Sequence, residues 1–527
     1  MCPSKGCMAA PDLRVGIDVG GTNTDAVALD LSDSLLAKSK VPTTADVTAG
    51  ITAALAGVLA QLGDERGRVT HVMLGTTHAT NAILQRRGLG RVALLRLGGP
   101  ATYSIRPLFA WPRDLRETVS AGELIVDGGM EFDGREIVPL DLETARRFLE
   151  SMAGHVDGVA IASVFAPVSA EHELAVGDVA RAVLGADVHV SLSHEVGTVG
   201  LLERENATVL NAALVGVART VADALSTALA GHGLRPETFF AQNDGTLMAL
   251  GHALRHPVLT IGSGPANSIR GAAYLTGVRD AIVADVGGTS TDVGVLANGF
   301  PRESTTPAEI GGIRTNFRMP DLVSVALGGG SIVRRRNGAV DVGPESVGYR
   351  LQESALVFGG TTPTLTDAAV AAGRTQLGNA RLVLARRAEL EPALACADAM
   401  LAEAIDRVKL ARGAQPLIVV GGGSVLVPDE LPGVSDVQRP EHFDVANAIG
   451  AAIASVSGQV DRIFHAGPGG RRAAVEEACD EARVQAVRAG ADPESIEIVE
   501  VEEIPLAYLT NPASRIRVKA AGPLGAS

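Results

Sequence analysis

Residues 15–30 read VGIDVGGTNTDAVALD, and residues 282–296 read IVADVGGTSTDVGVL. Both contain D-V-G-G-T-x-T-D, so Asp18 answers to Asp285, Gly20 and Gly21 to Gly287 and Gly288, and Asp25 to Asp292. A β-branched run leads into each copy and an alternating run leaves it. That is the pattern of strand, tight Gly-Gly turn and strand, a β-hairpin used twice.

The chemistry follows from the turn. Glycines let the backbone approach a ligand and adopt positive φ, so successive N–H groups can point at one anion. Thr22, Thr24, Thr289 and Thr291 add hydroxyls, with Asn23 and Ser290 at the variable place between them. A carboxylate at the strand end, Asp18 or Asp285, would repel a bare phosphate. It makes sense with a divalent cation in between, because Mg²⁺ is held by few carboxylates together with phosphate oxygens and waters. Asp18 and Asp285 are therefore the candidate metal ligands and catalytic carboxylates. Asp25 and Asp292 either join them or pin the hairpins through backbone contacts. Two such hairpins facing each other would clamp a nucleoside triphosphate from both sides.

These hairpins resemble the phosphate-1 and phosphate-2 motifs of the actin/sugar-kinase/Hsp70 ATPase superfamily, and LIVVGGGSVLVP (417–428) is similar to its adenosine motif. More narrowly, the chain resembles the A-type (ATPase) subunit of the hydantoinase/oxoprolinase family, in a short form. The stretches carrying this are IDVGGTNTDAV, MLGTTHATNAIL (73–84), NDGTLM (243–248), TIGSGPANSIRGAA (260–273), DVGGTSTDVG, VSVALGGGSIV (323–333), VGPESVG (342–348) and PTLTDA (363–368). The resemblance runs from residue 14 to about 460. It implies a two-lobed α/β actin-like ATPase (ribonuclease-H-like) fold, use of ATP and Mg²⁺, ring opening of a cyclic amide, and a separately encoded hydrolytic (B-like) partner subunit.

Composition narrows the field. The 527 residues suffice for two or three domains. Hydrophobic residues make up 46% and aromatics only 3%, so Ala, Val, Leu and Ile must build the core. A net charge of −14 with no basic stripe argues against nucleic acid as a partner. No apolar run reaches the roughly 18 residues of a membrane span, and MCPSKGCMAAPD has no signal-peptide core, so a cytoplasmic, oligomeric enzyme without membrane contact is expected. No G-K pair occurs, which excludes a Walker A loop. Cys2, Cys7, Cys396 and Cys479 are scattered and read as reduced structural thiols.

In chain order, a helix is expected over 45–62 and a strand over Val69–Leu74. The strand runs into Gly75, Thr76, Thr77, His78 and Asn81, a strand-to-helix turn rich in small donors. His78 is either a substrate-side donor or a surface or capping residue. Residues 98–116 read as irregular, and Glu123–Val138 as a hairpin around Asp133-Gly134. Helices 141–152 and 169–183 alternate with strands 156–164 and 186–192. A long helix from Val199 to Ala230 carries Glu203, Arg204, Glu205 and Asn206 at its start, facing either a cleft or solvent. Pro257–Ile261 leads into Ser263, Gly264 and Pro265 at a helix start. Gly328 and Gly329, and Gly421, Gly422, Gly423 and Ser424, follow apolar strands and are candidates for the nucleotide. Residues 384–412 and 442–464 read as helices. Beyond 470 come a helix and two strands.

The expected units are an N-terminal lobe (14–198), a second lobe (199–464) and a small α+β C-terminal appendage (470–527). The acceptor, a small cyclic amide, is expected between Thr76, Thr77, His78 and Asn81 on one side and Ser263 and Gly264 on the other. A sugar-type kinase, and a regulatory ATPase driving a partner protein, use the same cradle and stand as alternatives.

Overall fold

In the computed structural model, which describes residues 12–525 except 44–45, 305, 337–338, 410, 466–469 and 507–512, the repeated stretches are two hairpins in one register. Leu13–Val19 pairs antiparallel with Asn23–Leu29, placing Asp18 opposite Asp25 and Val19 opposite Thr24. Ala281–Val286 pairs with Thr291–Ala297, placing Asp285 opposite Asp292 and Val286 opposite Thr291. Each turn closes through the same bond: Gly20 N donates to Asn23 O at 3.0 Å, and Gly287 N to Ser290 O at 2.9 Å.

Each hairpin sits within its own sheet. The first belongs to nine strands in the order Glu497–Pro505, Ala513–Gly522, Val456–His465, Leu247–Ala249, Glu237–Ala241, Val69–Thr76, Leu13–Val19, Asn23–Leu29, Leu35–Pro42. The second belongs to six: Phe300–Pro301, Thr291–Ala297, Ala281–Val286, Gln415–Val420 and Val434–Gln438, with Leu322–Val325 also on Thr291–Ala297. A parallel four-stranded sheet forms a further layer, in the order Ser120–Asp127, Val92–Gly99, Gly158–Ser163, His189–Leu192.

Two helices of small residues lie between the nine- and six-stranded sheets. Ser263–Thr276 crosses Ala446–Ala452 so closely that a Cβ on Gly271 would stand 1.9 Å from Ala446 O, and one on Gly450 1.9 Å from Asn267 O. On one side Ala448, Ile449 and Ala452 bury against Val27 and Leu29; on the other Ile269 and Ala272 bury against Val283, Ile418 and Val420. The Ala- and Gly-rich sequence is what allows backbone to approach backbone here. This is the two-lobed actin-like arrangement expected from the repeat.

The helix Leu201–Gly231 ties the four-stranded sheet to the nine-stranded one. Leu210 and Leu214 pack with Leu94 and Ala160, and Val221, Leu225 and Leu229 pack with the helix Val47–Leu62 and its sheet. By length and composition alone, Val47–Arg68 and Leu201–Gly231 match a membrane span, contrary to the sequence expectation; both bury apolar faces against the sheets.

Several expected boundaries are corrected. Glu237–Ala241 and Leu247–Ala249 belong to the sheet of the first hairpin, so the lobes do not divide at 198/199. The residues after 470 are no separate appendage, because Glu497–Pro505 and Ala513–Gly522 extend that same sheet through Val456–His465. Residues 442–464 are helical only over Ala446–Ala452; Val456–His465 is a strand whose Val456, Gly458 and Val460 alternate inward. Pro392 begins a new helix, Pro392–Val408, within the expected 384–412. Ser120–Asp127 is a parallel strand, leaving only a Met130–Glu136 bridge around Asp133-Gly134. Cys396 and Cys479 are free and half-buried, whereas Cys2 and Cys7 lie outside the described residues.

Candidate functional site

The two hairpin tips meet. A Cβ on Gly288 would lie 3.3 Å from Thr22 Oγ1, so Gly21–Thr22 and Gly288–Thr289 face one cleft between the lobes. Behind the tips, opposite residues of an antiparallel pair share a sheet face, so each hairpin presents its two aspartates together. Asp18 is 2% exposed. Its Oδ2 accepts from Asn447 Nδ2 at 3.1 Å, and its Oδ1 is buried without a partner. Burial, reinforced by Asp25, pushes its carboxyl up to about 7. Asp285 accepts from Ser268 Oγ at 2.5 Å, and burial raises its carboxyl too, with Ser268 opposing. Asn267 and Ser268 lie on the crossing helix Ser263–Thr276 and Asn447 on Ala446–Ala452, so the lobe-joining helices also hold the carboxylates.

Asp25 and Asp292 are pinned, but by side chains. Lys40 Nζ stands 2.9 Å from both Asp25 oxygens and also donates to Asp444 O at 2.9 Å. Burial still lifts Asp25 to about 6 against the pull of Lys40. Asp292 accepts from Ser324 Oγ and is lifted by burial to about 6.

This donor set fits a divalent cation. Asp18 keeps a buried oxygen free, and Asp18 and Asp285 repel each other across the cleft. Among the described residues no group of three or more His, Cys, Asp or Glu forms a metal cage. A cation held here would therefore complete its shell with water and phosphate oxygens, the habit of Mg²⁺.

The glycine and hydroxyl candidates sort into two groups. Gly21, Thr22, Gly288, Thr289 and Ser290 lie at the open tips. Thr24 and Thr291 occupy the same motif position and both are fully buried: Thr24 Oγ1 meets Thr43 Oγ1 at 3.3 Å, and Thr291 Oγ1 donates to Leu327 O at 2.6 Å. Their hydroxyls lock the hairpins rather than face a phosphate. Gly328 and Gly329 act as a buttress. Gly328 N donates to Ser331 Oγ at 2.9 Å, Gly329 N to Gly287 O at 3.1 Å and Gly330 N to Gly288 O at 2.7 Å, so these N–H groups are committed. Around Gly421–Ser424, Gly421 N and Gly423 N are likewise bonded, to Phe443 O and Val286 O, and Ser424 is buried. Gly422 alone is exposed. A glycine flanks each key aspartate: a Cβ on Gly75 would lie 2.5 Å from Asp18 Oδ1, and one on Gly421 2.2 Å from Asp285 Oδ1.

The two turns expected to hold the acceptor do meet, but they close on each other. Ser263 Oγ, fully buried, donates to Thr76 O at 3.2 Å and lies 3.4 Å from Thr76 N. Thr77 Oγ1 donates to Val19 O at 3.2 Å, Asn81 Nδ2 reaches Thr77 Oγ1 at 3.4 Å, and a Cβ on Gly264 would touch Thr77 at 3.3 Å. His78 Nδ1 meets Thr76 Oγ1 at 2.9 Å, and its ring lines a small apolar cavity with Leu214, Val221 and Phe240. Burial depresses its pKa, favouring the uncharged ring. These residues weld the first hairpin to the crossing helix through the hydroxyls and amides expected to meet an acceptor.

The charged start of the long helix is neither in a cleft nor in solvent. Arg96 and Glu205 form a fully buried bidentate pair at 2.6 and 2.7 Å. Arg204 donates to Ser193 Oγ at 2.8 Å and Thr198 O at 2.9 Å, and Trp111 Nε1 donates to Asn206 Oδ1 at 2.7 Å. The sequence reading placed Gly75 in the candidate turn but gave no role to Lys40, Asn267, Ser268 or Asn447. Asn267 and Ser268 interrupt an apolar helix in a motif already quoted, which was the available signal; Asn447 was hidden by reading 442–464 as one helix.

Residues 14–184 match the model for the hydantoinase/oxoprolinase N-terminal region, and residues 204–379 match the one for hydantoinase/oxoprolinase. The chain belongs to the hydantoinase/oxoprolinase family. Among its relatives in the family, it is 30% identical over 399 residues to caprolactamase subunit alpha of Pseudomonas jessenii, covering 69% of this chain and 55% of that one. It is 28% identical over 397 residues to the acetophenone carboxylase gamma subunit of Aromatoleum aromaticum, covering 68% and 53%. The chain thus spans about half the length of the curated relatives it matches. The crystal structure of ATP-dependent caprolactamase from Pseudomonas jessenii shares the fold, with a TM-score of 0.75 at 21% identity over 97% of this chain and 88% of that one. This hydantoinase/oxoprolinase family chain carries one D-V-G-G-T-x-T-D hairpin inside each matched region.

Proposed function

We propose that this chain is the ATP-using part of a hydrolase that opens a cyclic amide such as a hydantoin or 5-oxoproline, acting with Mg²⁺ and with a separate partner subunit. The observation that carries this reading is the pair of in-register hairpins set tip to tip, with Asp18 and Asp285 behind them, in a family of hydantoinases and oxoprolinases.

The open tips at Gly21–Thr22 and Gly288–Thr289 grip the phosphates from two sides, and exposed Gly422 lets the backbone approach the adenosine. Asp18 and Asp285 would hold Mg²⁺, which when bound neutralises charge developing on the transferred phosphoryl group. In the reaction proposed, the amide carbonyl oxygen attacks the γ-phosphorus and the bond to the β-phosphate breaks, releasing ADP. One water then adds to the activated carbon and the ring C–N bond breaks. A second water releases phosphate, leaving an amine and a carboxylate. Most of the barrier is met by positioning, which the rigid hairpins and the packed helices supply.

Both sequence relatives are named as subunits, which supports a partner that completes the acceptor site. The similarity to an acetophenone carboxylase subunit also supports a second reading, in which the activated oxygen belongs to a ketone and bicarbonate follows. The deciding experiment incubates the chain with ATP and Mg²⁺, alone and with candidate partners, against hydantoins, lactams, and ketones plus bicarbonate. Ring-opened product stoichiometric with ADP is expected. A carboxylated ketone selects the second reading. A stable phosphorylated product makes the protein a kinase, and ATP turnover without acceptor chemistry makes it a regulatory ATPase; either result overturns the proposal.

A further inference from the structure

Away from the phosphate cleft, a cavity of about 930 Å³ opens at the C-terminal edge of the same sheet. Asp18 pairs in register with Gly75, and Leu74 with Phe240, so Ala241 stands two strands from Asp18. At the spacing of neighbouring strands that is about 10 Å. The turn Gln242–Asp244 continues that strand into the cavity wall, and the segment 259–263 divides cavity from cleft: Asn243 N donates to Leu259 O at 2.8 Å, and Gly262 N donates to Asn243 Oδ1 at 2.7 Å. The remaining walls come from the loop after the four-stranded sheet, from the segment 247–255, from residues 316–318, from the strand Val456–His465 and from the C-terminal helix.

The charges on the walls are unevenly satisfied. Asp244 is bound by Lys519 at 2.8 Å, and Asp461 by Arg515 and Arg517, both at 2.8 Å. The acids are therefore answered, apart from exposed Glu195. The donors are not. Arg318 is paired through Nη1 with Glu303 at 3.1 Å and Glu500 at 3.2 Å, and only its Nη2 is buried with no partner. Arg255 and Arg488 are exposed at the cavity, with no side-chain partner among the described residues. His194 is held through Nδ1 by Glu173 at 2.6 Å, which leaves Nε2 for the cavity. Beside them lie Val196, Leu247, Met248, Leu259 and Phe317.

We propose that this cavity binds a small organic carboxylate with an apolar body. Planar guanidinium groups match a planar carboxylate through paired N–H donors, and the apolar wall takes the rest of the molecule. Phosphate has no apolar body to bury, and a dianion meets Asp244, Asp461 and Glu195 at close quarters. Two sources share this chemistry. One is the amino acid released by opening a cyclic amide, a source that rests on the function proposed above. The other is a carboxylate unrelated to that reaction.

Calorimetric titration of the nucleotide-free chain with hexanoate, 6-aminohexanoate, caprolactam and inorganic phosphate tests this. Both carboxylates bind, and neither caprolactam nor phosphate does. Arg255→Gln and Arg488→Gln, exposed positions whose replacement leaves the core intact, each weaken carboxylate binding at least tenfold while leaving affinity for an ATP analogue unchanged. Tighter binding of 6-aminohexanoate than of hexanoate assigns the ring-opened product as the source; equal binding assigns an unrelated carboxylate. Absence of carboxylate binding, equal binding of phosphate, or indifference to both substitutions overturns the proposal. Because nucleotide affinity is read separately, such a failure leaves the ATP-cleft reading standing, and loss of nucleotide binding in the parent chain refutes that reading alone.

Discussion

Asp18→Asn should make the nucleotide-free protein more stable while destroying its activity. The Asp18 carboxyl rises from 3.8 to about 7 on folding, chiefly through burial and then through Asp25. For an acid, a folded pKa above the unfolded one means that the native state binds the extra proton between the two values. Stability therefore rises as pH falls from 8 toward 5, and the ionised carboxylate opposes folding above that range. At about 1.4 kcal/mol per pH unit, the shift corresponds to about 4 kcal/mol at pH 7 and about half of that at pH 5. Asparagine has the same shape and no charge. Its oxygen keeps the donation from Asn447, and its amide takes the place of the buried Oδ1 beside the Asn267 side chain. A net gain of ~2–4 kcal/mol is expected near neutral pH, with the gain shrinking toward pH 5. Urea unfolding of parent and variant at pH 7.5 and 5.5, followed by fluorescence and by circular dichroism, measures it. A variant no more stable than the parent at pH 7.5, or a gain equal at both pH values, refutes the reasoning. The expected loss of ATP turnover in the same variant explains why the charge is kept: stability is given up where chemistry needs a desolvated carboxylate.

Asp285→Asn should abolish Mg²⁺-dependent ATP turnover, by ~10²-fold or more, with unchanged circular dichroism; turnover at the parent rate removes Asp285 from the site. Gly328→Ala places a Cβ 2.6 Å from Gly288 C and from Thr289 N, backbone atoms that cannot swing aside. It should cost ~1–3 kcal/mol and weaken nucleotide binding, as read by unfolding and calorimetry. Burial works to raise the Asp244 carboxyl but Lys519 overrides it and holds it below the usual range, so the pair's contribution is present above about 4 and lost as pH falls through the lower folded value. Amide exchange, corrected for intrinsic rates, should accelerate in strand 513–522 below that pH before it does in 13–29. Glu205→Gln leaves Arg96 buried without its counter-charge and with one of its three acceptors lost, and should cost ~3–5 kcal/mol, measured as lost soluble yield or a lowered unfolding midpoint.

The parts of this molecule legible in the sequence are those set by local pattern. The D-V-G-G-T-x-T-D repeat specified two hairpins with equal registers, and the apolar spacing of 45–62 and 199–230 specified helices that formed at Val47–Leu62 and Leu201–Gly231. Asp18 and Asp285 were legible as a matched pair of strand-end carboxylates because the repeat sets both at the same place before the turn. The parts that were not legible depend on long-range pairing. Strand 456–465 alternates, but its Ala-rich neighbour 446–454 extended the helical reading across it, and nothing local says that it joins a sheet begun at residue 13. Thr24 and Thr291 look identical in type to Thr22 and Thr289; only the fold turns the first pair inward and the second toward the cleft. Ser263 and Thr76 were rightly brought together, but two polar turns that can reach a ligand can also satisfy each other, and here they do. Lys40 could not be assigned to Asp25 without knowing that strand 35–42 pairs beside 23–29.

The central claim is that one nucleotide is held by both hairpins at once. Hydrogen–deuterium exchange of the whole chain with and without a non-hydrolysable Mg²⁺·ATP analogue tests it most directly. Simultaneous protection of 19–24 and 286–291 is expected, with a further change at 420–424, and none of these in Asp285→Asn. Protection of one hairpin without the other, or protection confined to the cavity lined by Gln242 and Arg318, would contradict it.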